Sequence, residues 1–257
     1  MTVAIPVIDS SYLNIQGMQL QWVSNSLINI FPGQARDSTN QNDIILEELS
    51  TISTKVMGLG GLDQGTLIMN NFYNIYIIGS SLGIVPTGAI FSQASNTDPY
   101  NIAPILPVYY DIFRRIGGVA LVSSTNFYPF VQTSYGIGNN TVRRMWYDGP
   151  ILLVNSLPPF MPPKFTTALI DDLVPHYPST AVFNTTFIPT NDGDVAYFQP
   201  MKTSATPYVT IGGAAAGVPM NYSFTIPFQA DVDIPSEIWD QAAGTLSVYL
   251  VAYDDLL

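Results

Sequence analysis

The sequence predicts an all-β protein, a β-sandwich or jelly-roll-like fold with long loops and at most one or two short helices. Three observations carry that expectation. Of the 19 acidic residues 16 are Asp and 3 are Glu, and only 3 Lys are present, so two strong helix formers are nearly absent. Asp, Asn, Gly, Pro, Thr and Ser dominate the polar set, which is the chemistry of turns and strand ends. Apolar residues recur with period two, or in short runs closed by turn residues, and no crossover helices separate them.

Taken in order, Leu13, Ile15, Leu20, Trp22, Leu27 or Ile28, and Ile30 alternate with polar neighbours on either side of Gly17, a strand signature that Phe31-Pro32-Gly33 closes. Gln34 to Asn42 is a polar loop. Asp43 to Ile52 is the best local case for a helix, with Asp43 as N-cap and Glu47 and Glu48 close behind, although Ile44-Ile45-Leu46 also fits a strand. Gly58 to Gly65 holds too many glycines for either regular state, and with no Lys-Ser or Lys-Thr after it the segment is no phosphate loop. Phe72 to Ile78 is an apolar run expected as a buried strand, and Ala89 to Gln93 a shorter one.

Arg115 to Val122 is apolar, and Asn126 to Thr133 supplies alternating aromatics. Thr141 to Tyr147 and Ile151 to Asn155 flank Asp148-Gly149-Pro150, expected as a turn between strands. Leu157 to Lys164 carries four prolines and is an extended connector, a possible subdivision near residues 156–165. Thr166 to Asp172 suggests one helical turn. Short strands then follow at Ala181 to Ile188, Val195 to Gln199, Tyr208 to Ile211, Tyr222 to Phe228 and Thr245 to Tyr253, giving roughly ten in all, which suits a sandwich. Residues 1–12 are expected to form an arm that lies on a neighbouring molecule, and residues 13–257 one large β domain.

Composition narrows the function. With no cysteine and a single histidine, His176, thiolate chemistry is excluded and a catalytic zinc centre has too few ligands. The charge is 8 − 19 = −11, so the phosphate backbone of a nucleic acid finds no basic patch; the only basic pairs are Arg114-Arg115 and Arg143-Arg144. No apolar stretch reaches the roughly 18 residues of a membrane span, and Met1 to Ser10 lacks the basic start of a secretory signal, so a soluble chain made in the cytoplasm is expected. Only 11% of residues are charged, against roughly 25% in ordinary domains, while 47% are hydrophobic. Such a surface is expected to be covered largely by partner subunits.

Candidate chemistry is sparse. Acidic pairs occur at Asp171-Asp172, Asp192 and Asp194, Asp231 and Asp233, and Asp254-Asp255. Asn191-Asp192-Gly193-Asp194 has alternate oxygen ligands but is too short for a calcium loop, so a turn is expected. Glu47, Glu48 and Glu237 read as surface or cap residues. His176, between Pro175 and Pro178, reads as a loop histidine without a nucleophile elbow. Arg114 and Arg115 face opposite sides of a strand near Asp111, so one is expected in an internal ion pair and the other against a partner. Phe127, Tyr128, Phe130, Trp146 and Tyr147 are expected to fill the core. No catalytic, cofactor-binding or metal-binding residue is assigned, and no enzyme activity, cofactor, nucleic acid or membrane is expected.

Several blocks nevertheless carry a resemblance. Gly33-Gln34-Ala35-Arg36-Asp37-Ser38-Thr39-Asn40 with Asn42-Asp43-Ile44, then Gly60-Gly61-Leu62-Asp63-Gln64-Gly65, then Asn71-Phe72-Tyr73-Asn74-Ile75-Tyr76-Ile77-Ile78-Gly79, resemble a family of tailed-bacteriophage virion structural proteins. Leu106-Pro107-Val108-Tyr109-Tyr110-Asp111-Ile112-Phe113-Arg114-Arg115-Ile116-Gly117 is similar to that family's L-P-x-G-Y-x-x-x-R-R-I-G pattern, and Trp146-Tyr147-Asp148 to a W-Y-D element. The match spans residues 13 to 155 and departs at Gly118 and around Val108, where the glycine of the pattern is missing. The resemblance implies a virion component: a capsid decoration, cement or head-associated subunit, with a tail or tail-fibre protein that binds host surface polysaccharide as the alternative. Its partners would be other virion proteins and copies of itself, with a trimer the first expectation, and no catalytic residue is implied.

Overall fold

Strands account for nearly all the regular structure, and no α-helix occurs among the described residues. The computed structural model describes residues 15–69, 71–93, 105–137, 140–157, 166–169, 173–174, 179–199, 209–228, 237–242 and 244–256. The expected N-terminal arm, most of the proline-rich connector, Asp171-Asp172, His176, and Asp231 with Asp233 lie outside them, as does the side chain of Glu237.

Among the described residues nineteen strands form five antiparallel sheets. In the N-terminal quarter β1 (Ile15–Gly17), β4 (Gly33–Arg36) and β5 (Asp43–Leu46) make one small sheet, and β2 (Leu20–Ser24), β3 (Leu27–Ile30) and β6 (Ser50–Ser53) another. A four-stranded sheet follows, of β7 (Phe72–Gly79), β8 (Gly88–Ser92), β9 (Ile112–Ser123) and β10 (Asn126–Phe127), in the order β10-β9-β7-β8. The largest sheet has the order β11-β12-β19-β14-β17, from β11 (Phe130–Ile137), β12 (Asn140–Leu157), β14 (Ser179–Pro189), β17 (Met220–Phe228) and β19 (Gly244–Leu256). The last contains β13 (Thr166–Leu169), β18 (Glu237–Ala242), β15 (Val195–Gln199) and β16 (Val209–Gly212), in the order β13-β18-β15-β16.

Expected elements and observed ones differ where local pattern competes with pairing. The Asp43–Ile52 helix does not form; Ile44 and Leu46 turn inward while Ile45 faces out, the period of a strand, and β4 supplies the partner. Gly33 to Arg36, expected to end a strand and open a loop, is itself the central strand between β1 and β5. Thr166 to Leu169 is a strand on β18 rather than a helical turn. Asp148-Gly149-Pro150 does not reverse the chain either. Strand β12 runs through it, and the four residues after Trp146 bulge against one residue of β19 before pairing resumes at Ile151.

Every residue of β7 is buried, as its run, apolar but for Asn74, leads one to expect of a strand covered on both faces. The four-stranded sheet packs against one face of the largest sheet: Phe72 meets Tyr253 edge-on at 5.7 Å, and the Tyr253 hydroxyl donates to the Gly118 carbonyl at 2.5 Å. Glycine is required there, because a Cβ on Gly118 would lie 2.3 Å from the Phe72 ring. Further along the same face, β15 packs through Phe198 against Phe224, with ring centroids 4.6 Å apart. The two halves of the chain therefore share one side of the largest sheet, and its other side carries the exposed side chains of Val131, Trp146 and Leu152.

The first two of the blocks that carry the resemblance are scaffold. Asp37, almost fully buried between β4 and β5, accepts hydrogen bonds from the Thr39 hydroxyl (2.9 Å), the Gln41 amide (2.8 Å) and the Asn42 amide and side chain (3.2 and 2.9 Å). Burial pushes this carboxyl up, but those hydrogen bonds outweigh it and hold it below its ordinary 3.8. A carboxyl with a lowered folded pKa contributes stability above the unfolded value and loses it as pH falls through the folded one. Urea titrations of wild type and Asp37→Asn between about pH 5 and about pH 2 should therefore show the smaller acid loss in the variant. In the second block Gly61 is required, since a Cβ would lie 2.0 Å from the Val56 carbonyl, and Asp63 accepts from the Ser92 hydroxyl at 2.7 Å. Burial raises the Asp63 pKa despite that bond.

Candidate interaction surfaces

Of the charged residues singled out from the sequence, Arg115, Arg143 and Asp255 meet in the interior, and Arg144 and Asp254 on the outer face of the largest sheet. Strand register places Arg143 and Arg144 on β12 opposite Asp255 and Asp254 on β19. Alternation then sends the first pair inward and the second outward. Arg115, from β9, forms a two-pronged ion pair with Asp255 at 2.8 Å for each contact, and its Nε donates to Asn74 at 2.8 Å. Arg143 donates to the carbonyls of Met18 (2.7 Å), Ile116 (2.8 Å) and Gly17 (2.8 Å), tying the N-terminal strands to the largest sheet. Its burial lowers its pKa to about 10, with Asp255 pulling it up and Arg115 pushing it down, so it remains a cation at neutral pH. On the outer face Arg144 pairs with Asp254 at 2.6 and 2.7 Å and lies 5.3 Å from the centre of the Trp146 ring.

An internal ion pair for one of Arg114 and Arg115 is thus observed. Contact of the other with a partner is not, because Arg114 is buried within the chain as well. Asp111 instead holds a loop, accepting from the Ser81 amide at 2.6 Å and from the Ser81 hydroxyl. Phe127 and Phe130 are in the core and Tyr128 and Tyr147 pack against it, whereas Trp146 stands partly exposed on the outer sheet face. Asp194 closes the expected turn by accepting the Asn191 amide at 2.6 Å, and Asp192 accepts the Ala216 amide at 2.8 Å. No cluster of three potential metal ligands occurs among the described residues. Glu47 and Glu48 are exposed, as expected.

Two surfaces stand out that local sequence pattern did not reveal. The first lies at one end of the four-stranded sheet, where the β7–β8 loop and the segment leading into β9 come together. The Tyr110 hydroxyl donates to the Pro86 carbonyl at 3.0 Å, and Asp111 clamps Ser81. From these two loops project Leu82 (79% exposed), Val108 (76%), Tyr109 (67%) and Ile84 (60%). Beside them Ile45, Leu49, Val85 and Pro86 line a depression of about 490 Å³ between the β5–β6 and β7–β8 loops. Tyr109 holds φ at +74°, at the third position of a turn closed by the Tyr110 amide on the Pro107 carbonyl. That position is ordinarily left to glycine.

The second surface is a groove of about 370 Å³ on the outer face of the largest sheet. Asn184 and Thr186 on β14 lie opposite Ser223 and Asn221 on β17, so that two amides and two hydroxyls form a four-cornered patch. Tyr249 stands opposite Asn184 from the β19 side, and Pro150 also lines the groove. None of the lining residues is charged.

No known protein family matches the chain, and no curated protein does. Among solved structures, the carbohydrate-binding module CBM6cm-2 from Cellvibrio mixtus lichenase 5A, in complex with cellotriose, is 12% identical over 49% of this chain and 86% of its own, with a TM-score of 0.25. A CBM4 structure is 7% identical over 48% of this chain and 78% of its own, at 0.21. The VP2 protein of infectious bursal disease virus is 11% identical over 98% of this chain and 71% of its own, at 0.23. Overlaps this loose carry no functional argument.

Proposed function

We propose that the chain is a non-enzymatic structural subunit of a tailed-phage virion, a capsid decoration, cement or head-associated protein that works by burying apolar surface against its neighbours. The observation that carries this reading is the projection of Leu82, Ile84, Val108 and Tyr109 from two loops that hydrogen bonds lock together. Large apolar side chains presented on a rigid base gain nothing in water and favour a second surface. A sparsely charged exterior supports the same reading, and the block resemblance supports the particle. The first partner is another copy of this chain, in a trimer, followed by other coat proteins.

Tyr109 supplies a variant whose two effects have opposite sign. Holding a tyrosine at positive φ costs about 1–2 kcal/mol that glycine avoids. Tyr109→Gly should therefore raise the urea midpoint of the isolated chain while weakening its self-association. The proposal itself is tested by sedimentation equilibrium over a range of concentrations and by locating the chain in intact particles by cryo-electron microscopy. A mass that rises with concentration, and density on the particle, are expected. A chain that stays monomeric and is missing from purified particles would overturn the proposal.

A further inference from the structure

From the geometry of the outer groove we infer a second function, that the largest sheet binds a neutral glycan across β19, β14 and β17. Strand register sets the patch. In an antiparallel pair, residues two apart on each strand share a face, so Asn184 with Thr186 and Asn221 with Ser223 make a square in which each amide sits opposite a hydroxyl. The Thr186 hydroxyl donates to Asn221 Oδ1 at 2.8 Å, which fixes that amide and orients its NH₂ group. Amides and hydroxyls both donate and accept, as sugar hydroxyls do, so the patch is matched to a polyol rather than to an ion.

The rest of the groove fits the same ligand. A sugar ring has an apolar C–H face as well as polar edges, and Tyr249, half-buried beside Asn184, offers a ring for that face. The volume of about 370 Å³ lies within the range of small-ligand sites and is open along the sheet, which suits a segment of a longer chain. Charge decides between glycan classes. No lining side chain is charged, and the chain carries −11 overall, so uronates, sialylated sugars and phosphorylated glycans meet no counter-charge and a repelling field. The ligand class is therefore an uncharged hexose or N-acetylhexosamine polymer. The inference stands apart from the assembly proposal, since the groove and the projecting loops lie on different sheets.

The test is isothermal titration of the full chain with neutral hexose and N-acetylhexosamine oligosaccharides about four to six sugars long, beside uronate and sialylated oligomers of equal length. At least one neutral oligomer should bind and the anionic ones should not. Tyr249→Ala should weaken binding at least about tenfold, and Asn184→Ala with Asn221→Ala should abolish it, while Tyr249→Phe keeps the ring and most of the affinity. Asn184→Asp, which preserves shape and adds charge, gives a second route should the alanine variants unfold. Leu82→Asp with Val108→Asp should leave binding unchanged, so failure of the assembly proposal does not touch this one. Absence of neutral-glycan binding, equal or stronger binding of anionic oligomers, or affinity indifferent to both Tyr249→Ala and Asn184→Asp overturns it.

Discussion

Asp255→Ala should cost the fold about 3–5 kcal/mol. The carboxylate is fully buried and its two oxygens take both terminal nitrogens of Arg115, while Arg143 lies directly across the strand pair. Removing it leaves two guanidinium groups without counter-charge in an interior that solvates them poorly. Arg143 retains its three carbonyl acceptors, whereas Arg115 loses its two-pronged contact. Urea unfolding followed by tryptophan fluorescence measures this. Replacing both ends of the pair, Arg115→Met with Asp255→Leu, should be markedly less damaging than Asp255→Ala, because no unpaired buried charge from that pair then remains. A single variant within about 1 kcal/mol of wild type would show that the ionic cluster is not what joins the two sheets.

Leu82→Asp combined with Val108→Asp should weaken self-association about a thousandfold while leaving the folded subunit intact. Each side chain at the centre of a packed interface is worth about 2 kcal/mol or more, and two such losses multiply to that factor. The introduced carboxylates must also be desolvated on docking, near Glu47 and Glu48. Stability should hardly change, because side chains 79% and 76% exposed give up little on becoming polar. Sedimentation velocity at matched concentrations separates the two effects: the variant should run as a monomer with an unchanged urea midpoint. An unchanged distribution of species would move the interface away from these loops.

The fold class was legible from composition together with the spacing of apolar residues, and the physical reason is visible in the elements. Phe72 to Ile78, bounded by Gly79, reads as a buried strand in the sequence and is one, because a run apolar at every position but Asn74 shows no solvent-facing period. The errors fell where local chemistry is ambiguous. Gly33 to Arg36 carries a glycine and two polar residues, yet strands on both sides hold it in a sheet through backbone hydrogen bonds to which side-chain polarity is indifferent. Asp148-Gly149-Pro150 has turn composition, but β19 continues past it, so the extra residues become a bulge.

The interaction surfaces were less legible still. Leu82 and Ile84 look like ordinary loop residues until the segment before β9 is brought beside them. Asn184 and Asn221 lie 37 positions apart, and only strand register sets them across from each other's hydroxyl neighbours.

Sequence by itself determined that this chain is built of strands, that its charges are few and mostly negative, and that thiolate chemistry is closed to it, since these depend only on which side chains are present. Tertiary structure alone decided what the rare charges do. The paired arginines at 143–144 and the paired aspartates at 254–255 are both plain in the sequence, but they meet because strands more than a hundred residues apart pair in one register. A slip of β19 by one residue against β12 would turn Asp254 to the buried face and Asp255 to the outer one, setting Asp254 opposite Arg143. No local pattern contains that information, because register is chosen by the whole buried face at once.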